Sequence, residues 1–308
     1  MQEHMTNSVF NKLKVLDLFS GIGGFSVGLE RTGGFETVAF CEKDEECQKV
    51  LRKNWPNENI PIFTDILKLQ NSKSLTGKFN QLEDDNIIFG PTEIDLICGG
   101  FPCQSISENG KKEGFIDANG EKTRSGLWFE QKRIIQEVGP KWVIIENVSN
   151  LRSLGLAEVL KDLWEIGYAS EWSILSARDF GSCHLRERVW IVAYPSDTKC
   201  LRQASSKHDS WGRRSSSRPE EEIFESHCSE FSEDVSPRIF GSRSPTFSNW
   251  WKVKSKFYRV DDGVPNGPHK VRDDDKRRKE RIKQLGNAVV PHVVEYIGNL
   301  ILDYEKGN

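Results

Sequence analysis

The chain is 308 residues long, 36% hydrophobic and 29% charged, with 9 Trp, 17 Phe and a formal net charge of −3; its mean hydropathy is −0.56. That apolar share can bury a core and excludes a wholly disordered chain, while the slightly acidic balance excludes a chain-wide basic signature for nucleic acid. No apolar run approaches the roughly 20 residues of a membrane-spanning helix, the start MQEHMTNSVFNKLK lacks a secretory pattern, and the 7 Cys form no CxxC pair, so reduced thiols in a cytoplasm are expected.

Lys14-Val-Leu-Asp-Leu-Phe19 is an apolar run that stops at glycines, as a buried parallel strand does. The pattern then predicts a helix from Gly24 to Arg31, a strand over Thr37–Cys41, and a helix capped by Asp44 that runs to Asn54 before Pro56. Asp95–Cys98 and Trp142–Ile145 repeat the strand pattern, with helices over Trp128–Val138 and Ala157–Glu165, and Val189–Ala193 is the last apolar strand. Strands separated by helices predict an α/β fold, with βαβ crossovers and a sheet covered on both faces; ligands bind such sheets beyond the carboxyl ends of the strands. Residues 196–250 are rich in Ser, Arg and Glu and show no sustained period. Pro291 then opens a helix with Val293, Ile297, Leu300 and Ile301 on one face.

Asp17-Leu-Phe-Ser-Gly-Ile-Gly-Gly-Phe25 places three glycines where a strand turns into a helix. Glycine there admits a positive φ and close ligand approach, and free N–H groups at a helix start hold an anionic group. Ser26 breaks the dinucleotide pattern G-x-G-x-x-G, so the loop suits a smaller ligand than a pyrophosphate. Glu42 closes the second strand, where an acid accepts from ribose hydroxyls, and Asp65 follows the short segment at Phe63 and is placed to accept from an adenine amino group. The plainer reading makes both acids helix caps or solvated charges. Gly99-Gly-Phe-Pro-Cys103-Gln-Ser puts a thiol on a loop at a strand's carboxyl end, a place for a nucleophile, whereas Cys41, Cys47 and Cys98 read as small buried hydrophobes. Glu146-Asn147-Val148 ends the next strand and offers a proton donor, and Arg186-Glu-Arg188 offers a cation to an exocyclic oxygen.

Taken in order, DLFSGIGGF, Glu42, Asp65, GGFPCQS, ENV, RERVWIV and QLGNAVVP (residues 284–291) resemble the motif set of the C5-cytosine DNA methyltransferases. The resemblance covers about residues 11–194 and 283–304 and implies a Rossmann-like class I methyltransferase fold, mostly parallel, that uses S-adenosyl-L-methionine. It divides the chain into a first catalytic part at 11–195, a target-recognition segment at 196–282 and a helix at 283–308 that returns to the catalytic domain. By family position, Cys103 adds to carbon 6 of a flipped cytosine, Glu146 serves ring nitrogen N3, and Arg188, with Arg186 nearby, holds O2. Phe19 packs on the adenine, Glu42 holds the ribose and Asp65 the amino group, while Gly21, Gly23, Gly24, Pro102, Asn287 and Ala288 shape the cofactor pocket. Gln104, Ser105 and the cations Lys252, Lys254, Arg259, Arg277 and Arg278 are the expected DNA contacts, although Asp273, Asp274 and Asp275 partly cancel the last two.

The family's usual glutamine before Arg-x-Arg is replaced by His184; the adjacent Cys183 and His184 are not spaced as metal ligands, and no metal is expected. The expected partner is double-stranded DNA, with a cognate restriction endonuclease as a system partner, for a monomeric bacterial or phage protein away from membranes. Two rival readings keep the motifs. One changes the substrate to a tRNA cytosine, and the other makes the chain a silent methylase-like DNA-binding regulator, which the intact Cys103 and Glu146 oppose.

Overall fold

The computed structural model describes residues 11–57, 59–71, 79–81, 87–89, 94–102, 124–182, 184–196, 284 and 286–306. The chain forms two compact units, residues 1–98 with 255–308, and residues 99–254.

In the first unit, β1 (Leu13–Leu18) pairs in parallel with β2 (Phe35–Cys41), which pairs in parallel with β3 (Ile62–Phe63). Val15, Leu16 and Leu18 are fully buried, as both faces of a central parallel strand must be. On the other side of β1 lies β7 (Leu96–Gly99). Between β1 and β2 runs α1 (Gly24–Arg31), which coincides with the expected helix. The next helix, α2 (Glu45–Asn54), starts where the Asp44 carboxylate accepts from the N–H groups of Glu46 and Cys47. Glu45 and Glu46 in its first turn and Arg52 and Lys53 in its last complement the helix dipole. Three short strands, β4 (Leu69–Asn71), β5 (Phe79–Gln81) and β6 (Ile87–Phe89), form a separate small sheet that the sequence pattern did not announce.

The second unit contains α3 (Trp128–Val138), β8 (Trp142–Val148), the turn-length α4 (Leu151–Leu154), α5 (Leu156–Glu165), β9 (Tyr168–Ser176) and β10 (Glu187–Pro195). Gly139, at φ 66°, ends α3 as its N–H returns to the carbonyl of Ile135. The last apolar strand is longer than expected and runs antiparallel to both β8 and β9. The link from Ser176 to Glu187 is too short for a parallel crossover, so the chain folds back on itself. Behind the strands, the Trp128 indole donates to Asp162 Oδ2 at 2.6 Å, and Lys132 pairs with Asp162 and Glu165, tying α3 to α5.

The final helix, α6 (Pro291–Glu305), opens with Pro at its first turn as expected and belongs to the first unit. It packs on α1 through small residues. A Cβ on Gly28 would meet the Pro291 carbonyl oxygen and Val294 Cβ, both at 2.5 Å, and Gly298 lies against Leu29 and Phe35. Val293, Ile297 and Ile301 are buried, and Leu300 is half-buried. No helix among the described residues is long and apolar enough to cross a membrane.

Candidate active site

The glycine loop is built on the end of β1. Gly21 and Gly23 take φ values of 55° and 86°, and the half-buried Phe19 is held at φ 52°. The expected free N–H groups are partly committed. Ser20 N–H bonds the Cys41 carbonyl at 3.1 Å, Gly23 N–H the Ser20 carbonyl at 2.8 Å, and Gly21 N–H the Glu42 Oε2 at 2.7 Å. The other Glu42 oxygen accepts from Asp44 N–H at 2.7 Å. A carboxylate offers about four lone-pair sites, so Glu42 can still accept from a hydroxyl donor. Burial pushes the Glu42 carboxyl above its ordinary value, and the backbone N–H groups of Asp44, Gly21 and Lys43 pull it back. Asp65 caps a turn by accepting from Leu67 N–H at 3.1 Å and pairs with Lys43 at 3.6 Å.

Beneath the loop, Ser26 explains the broken dinucleotide pattern. Its hydroxyl donates to Asp17 Oδ2 at 2.7 Å, and Asp17 is 0% exposed with Oδ1 unpartnered. Burial pushes the Asp17 carboxyl up to about 8, opposed by the Ser26 hydrogen bond and reinforced by Glu42. The neutral acid is the form that a dry, half-satisfied site holds. Since the folded value lies above the ordinary 3.8, this group's stabilising contribution is complete below that value. It is lost as pH rises toward 8 and is level beyond it. Asp17→Asn keeps an acceptor for Ser26 and removes the titration. Its melting temperature should gain on that of the wild type between pH 4 and 8; parallel melting curves across that range would refute the assignment.

The back of the loop is held by residues that the sequence reading passed over. A Cβ on Gly23 would lie 2.6 Å from the Trp55 ring, and the Trp55 indole N–H is fixed by both Glu30 oxygens at 3.1 and 3.0 Å. Trp55 preceded Pro56 and was legible only as a helix end. A Cβ on Gly24 would meet the Val289 carbonyl oxygen at 2.6 Å, and Ala288 is buried with Ile22, Val27 and Cys47, so residues 288–289 press against the loop. Asn287 is exposed.

In the second unit, Glu146 lies inside β8 rather than beyond its end, opposite Trp190 of β10, because the antiparallel ladder continues to the Arg188–Val148 pair. Glu146 is 8% exposed. Its Oε1 is bound by Arg188 Nε at 3.0 Å. Its Oε2 faces Gly100, where a Cβ would stand 3.0 Å away. Burial raises the Glu146 carboxyl above its ordinary value, against the lowering by Arg188 and Arg186. Arg186 sits at φ 31°; it and Phe19 are the only non-glycine residues with positive φ among the described residues. Strained backbone of this kind collects at functional sites.

The segment leading to Cys103 is fixed as far as it is described. Asn147 Nδ2 donates to the Phe101 carbonyl at 3.1 Å, the Phe101 and Trp128 rings lie 5.6 Å apart, and Pro102 is half-buried. Cys103, Gln104 and Ser105, like Cys183, Lys252, Lys254, Arg259, Arg277 and Arg278, lie outside the described residues. Cys41, Cys47 and Cys98 are buried free thiols, in keeping with their bland reading. His184 bonds the Ser182 hydroxyl at 3.2 Å through Nε2.

The glycine loop thus stands at the end of β1, and the buried Glu146 carboxyl of β8 is paired with Arg188 of β10 in an α/β fold. Residues 13–258 match the family of C-5 cytosine-specific DNA methylases, and the chain belongs to that family. It is similar to type II methyltransferase M.DsaV of Dactylococcopsis salina, 33% identical over 187 residues, 59% of this chain and 46% of that protein. It is also similar to M.HhaI of Haemophilus parahaemolyticus, 32% identical over 189 residues, 60% of this chain and 50% of that protein. The chain spans about half the length of the curated relatives it matches. A crystal structure of a Spodoptera frugiperda DNMT2 mutant aligns with a TM-score of 0.53 at 15% identity, covering 94% of this chain and 100% of that one. That likeness shows the fold, Rossmann-like and of the class I methyltransferase type.

Proposed function

We propose that this chain transfers a methyl group from S-adenosyl-L-methionine to carbon 5 of a flipped cytosine in double-stranded DNA, through a covalent Cys103 adduct. The observation that carries the reading is the buried Glu146 carboxyl, bound on one oxygen by Arg188 and bordered on the other by a glycine, in a chain of this family. Carbon 5 of cytosine is a poor nucleophile and is stacked in a duplex, so the base leaves the stack at a cost of a few kcal/mol. The Cys103 thiolate adds to carbon 6. The displaced electron pair makes carbon 5 enamine-like as Glu146 gives a proton or hydrogen bond to N3. Arg188 and Arg186 hold the acid in place and present a cation to O2. Once carbon 5 carries the transferred methyl group, loss of its remaining proton to water expels the Cys103 thiolate, and N3 gives back its proton as the ring is restored.

The residues of the first unit fit the cofactor. Glu42 retains acceptor capacity for a ribose hydroxyl, Asp65 is half-buried and able to accept from the adenine amino group, and Phe19 offers a half-buried ring. When bound, S-adenosyl-L-methionine supplies an electrophilic methyl group on a sulfonium. Gly21, Gly23, Gly24, Asn287 and Ala288 complete this proposed pocket, and Pro102 is proposed separately as a cofactor-binding residue. Gln104, Ser105, Lys252, Lys254, Arg259, Arg277 and Arg278 are the proposed DNA contacts. The protein acts as a cytoplasmic monomer of bacterial or phage origin, beside a cognate restriction endonuclease, with residues 196–282 as its target-recognition segment.

Incubation with tritiated S-adenosyl-L-methionine tests this. Label is expected in duplex DNA, none with Cys103→Ser, and a denaturation-resistant adduct should form on 5-fluorocytosine DNA. Label in tRNA alone, or in neither nucleic acid, would sink the reading.

A further inference from the structure

The segment that delivers Cys103 leaves β7 at Gly99, and its first carbonyls are fixed from two sides. Asn147 of β8 donates to the Phe101 carbonyl. From the opposite element, Gln131 Nε2 of α3 donates to the Gly99 carbonyl at 3.4 Å. Gln131 lies one helical turn after Trp128, on the same face of α3, and Trp128 carries the Phe101 ring. Trp128 is itself locked by Asp162. One face of α3 therefore supports both ends of Gly99–Phe101, the ring through Trp128 and the carbonyl through Gln131.

Gln131 is a poor choice for a packing role alone. It is 0% exposed, its Oε1 has no hydrogen-bond partner, and its neighbours Ile134 and Ile135 are fully buried hydrophobes. A buried amide that uses so little of its bonding capacity is disfavoured against leucine or methionine of similar volume. What it adds to such a residue is the N–H donor toward Gly99. The donor's direction is fixed by its acceptor, since a carbonyl cannot face the amide oxygen.

We propose that Gln131 is a positioning residue for the nucleophile. By holding the Gly99 carbonyl while Asn147 holds that of Phe101, it sets the direction in which the chain presents Cys103. This deepens the methyltransferase reading and rests on Cys103 being the attacking thiol. A misaimed nucleophile loses rate rather than substrate affinity.

The test uses the full chain with Gln131→Leu and Gln131→Glu, read by two assays. One is methyl transfer to duplex DNA. The other is the rate of iodoacetamide labelling at Cys103, followed by peptide mass, which needs neither DNA nor cofactor. Gln131→Leu is expected to lower kcat about tenfold with both KM values little changed. It should also change the Cys103 labelling rate, while its melting temperature matches or exceeds that of the wild type. Gln131→Glu can donate to Gly99 only when protonated. Its rate should approach wild type at acidic pH and fall away at lower pH than the wild-type rate does, and this variant carries the test should the leucine variant fail to fold. Wild-type kcat and labelling in Gln131→Leu, or a Gln131→Glu pH profile superimposed on that of the wild type, would overturn the proposal. Altered labelling in a chain whose wild type methylates nothing would leave the positioning role standing and remove the methyltransferase reading instead.

Discussion

Glu146→Gln is expected to lower the rate of methyl transfer by roughly 10²–10⁴-fold, the range for losing a positioned proton donor. The change is nearly isosteric, so Gly100 still fits against the side chain and Arg188 still finds an oxygen to face. What is lost is the acidic proton. Burial holds the Glu146 carboxyl above its ordinary value, and Arg188 and Arg186 pull the other way without reversing the shift. The sign of the pH dependence follows. In the proposed mechanism the protonated acid is the donor, so the wild-type rate is expected to be retained below the raised value and lost as pH rises through it. A glutamine N–H donates weakly at every pH, so the variant's residual rate should lack that alkaline fall. Single-turnover rates across pH distinguish the two. A variant that keeps both the wild-type rate and the wild-type alkaline limb would remove Glu146 from the chemistry.

The same residue shows how far the sequence could be read. An acid near the end of an apolar run was visible as a candidate donor, because strand-end positions in α/β sheets face ligands. That Glu146 lies within a continuing ladder was not visible, since the ladder depends on β10 returning antiparallel to β8. Direction is set by the short link from β9, and β9 itself was missed. Its half-exposed sequence YASEWSILS lacks the unbroken apolar run that marked β1 and β7. Helices were read more closely, with α1, α2 and α3 found at their expected limits, because Asp44, Pro56 and Gly139 act locally on the backbone. The supports of the candidate site were the hardest to see. Trp55 behind Gly23 and Gln131 behind Gly99 act through distant partners, and neither residue carries a spacing signal. Asp17 looked like one polar residue inside a strand. Only its complete burial with one unpartnered oxygen marks it as a held acid.

Gly28→Ala is expected to destabilise the protein although alanine is the better helix former. In an exposed helix interior the exchange would gain about 1 kcal/mol. Here the new Cβ would stand 2.5 Å from the Pro291 carbonyl oxygen and 2.5 Å from Val294 Cβ, with Val294 Cγ1 at 2.9 Å. Val294 is wholly buried and Pro291 contributes backbone at the first turn of α6, so neither can rotate out of the way. The helices must separate, and overpacking of this kind costs about 1–3 kcal/mol, which outweighs the propensity gain at its upper end. A shift of each kcal/mol moves the melting temperature of a domain this size by roughly 2–4 °C, within reach of calorimetry. The displacement also reaches the glycine loop, because residues 288–290 lead directly into α6 and the Val289 carbonyl stands against Gly24. Cofactor affinity should therefore fall together with the melting temperature, whereas a purely local clash would lower the melting temperature alone. Adding Val294→Ala removes the side-chain half of the clash and leaves the carbonyl half, so recovery should be partial. A Gly28→Ala protein that melts at or above the wild-type temperature would mean that α1 and α6 are not in the close contact on which the support of the glycine loop depends.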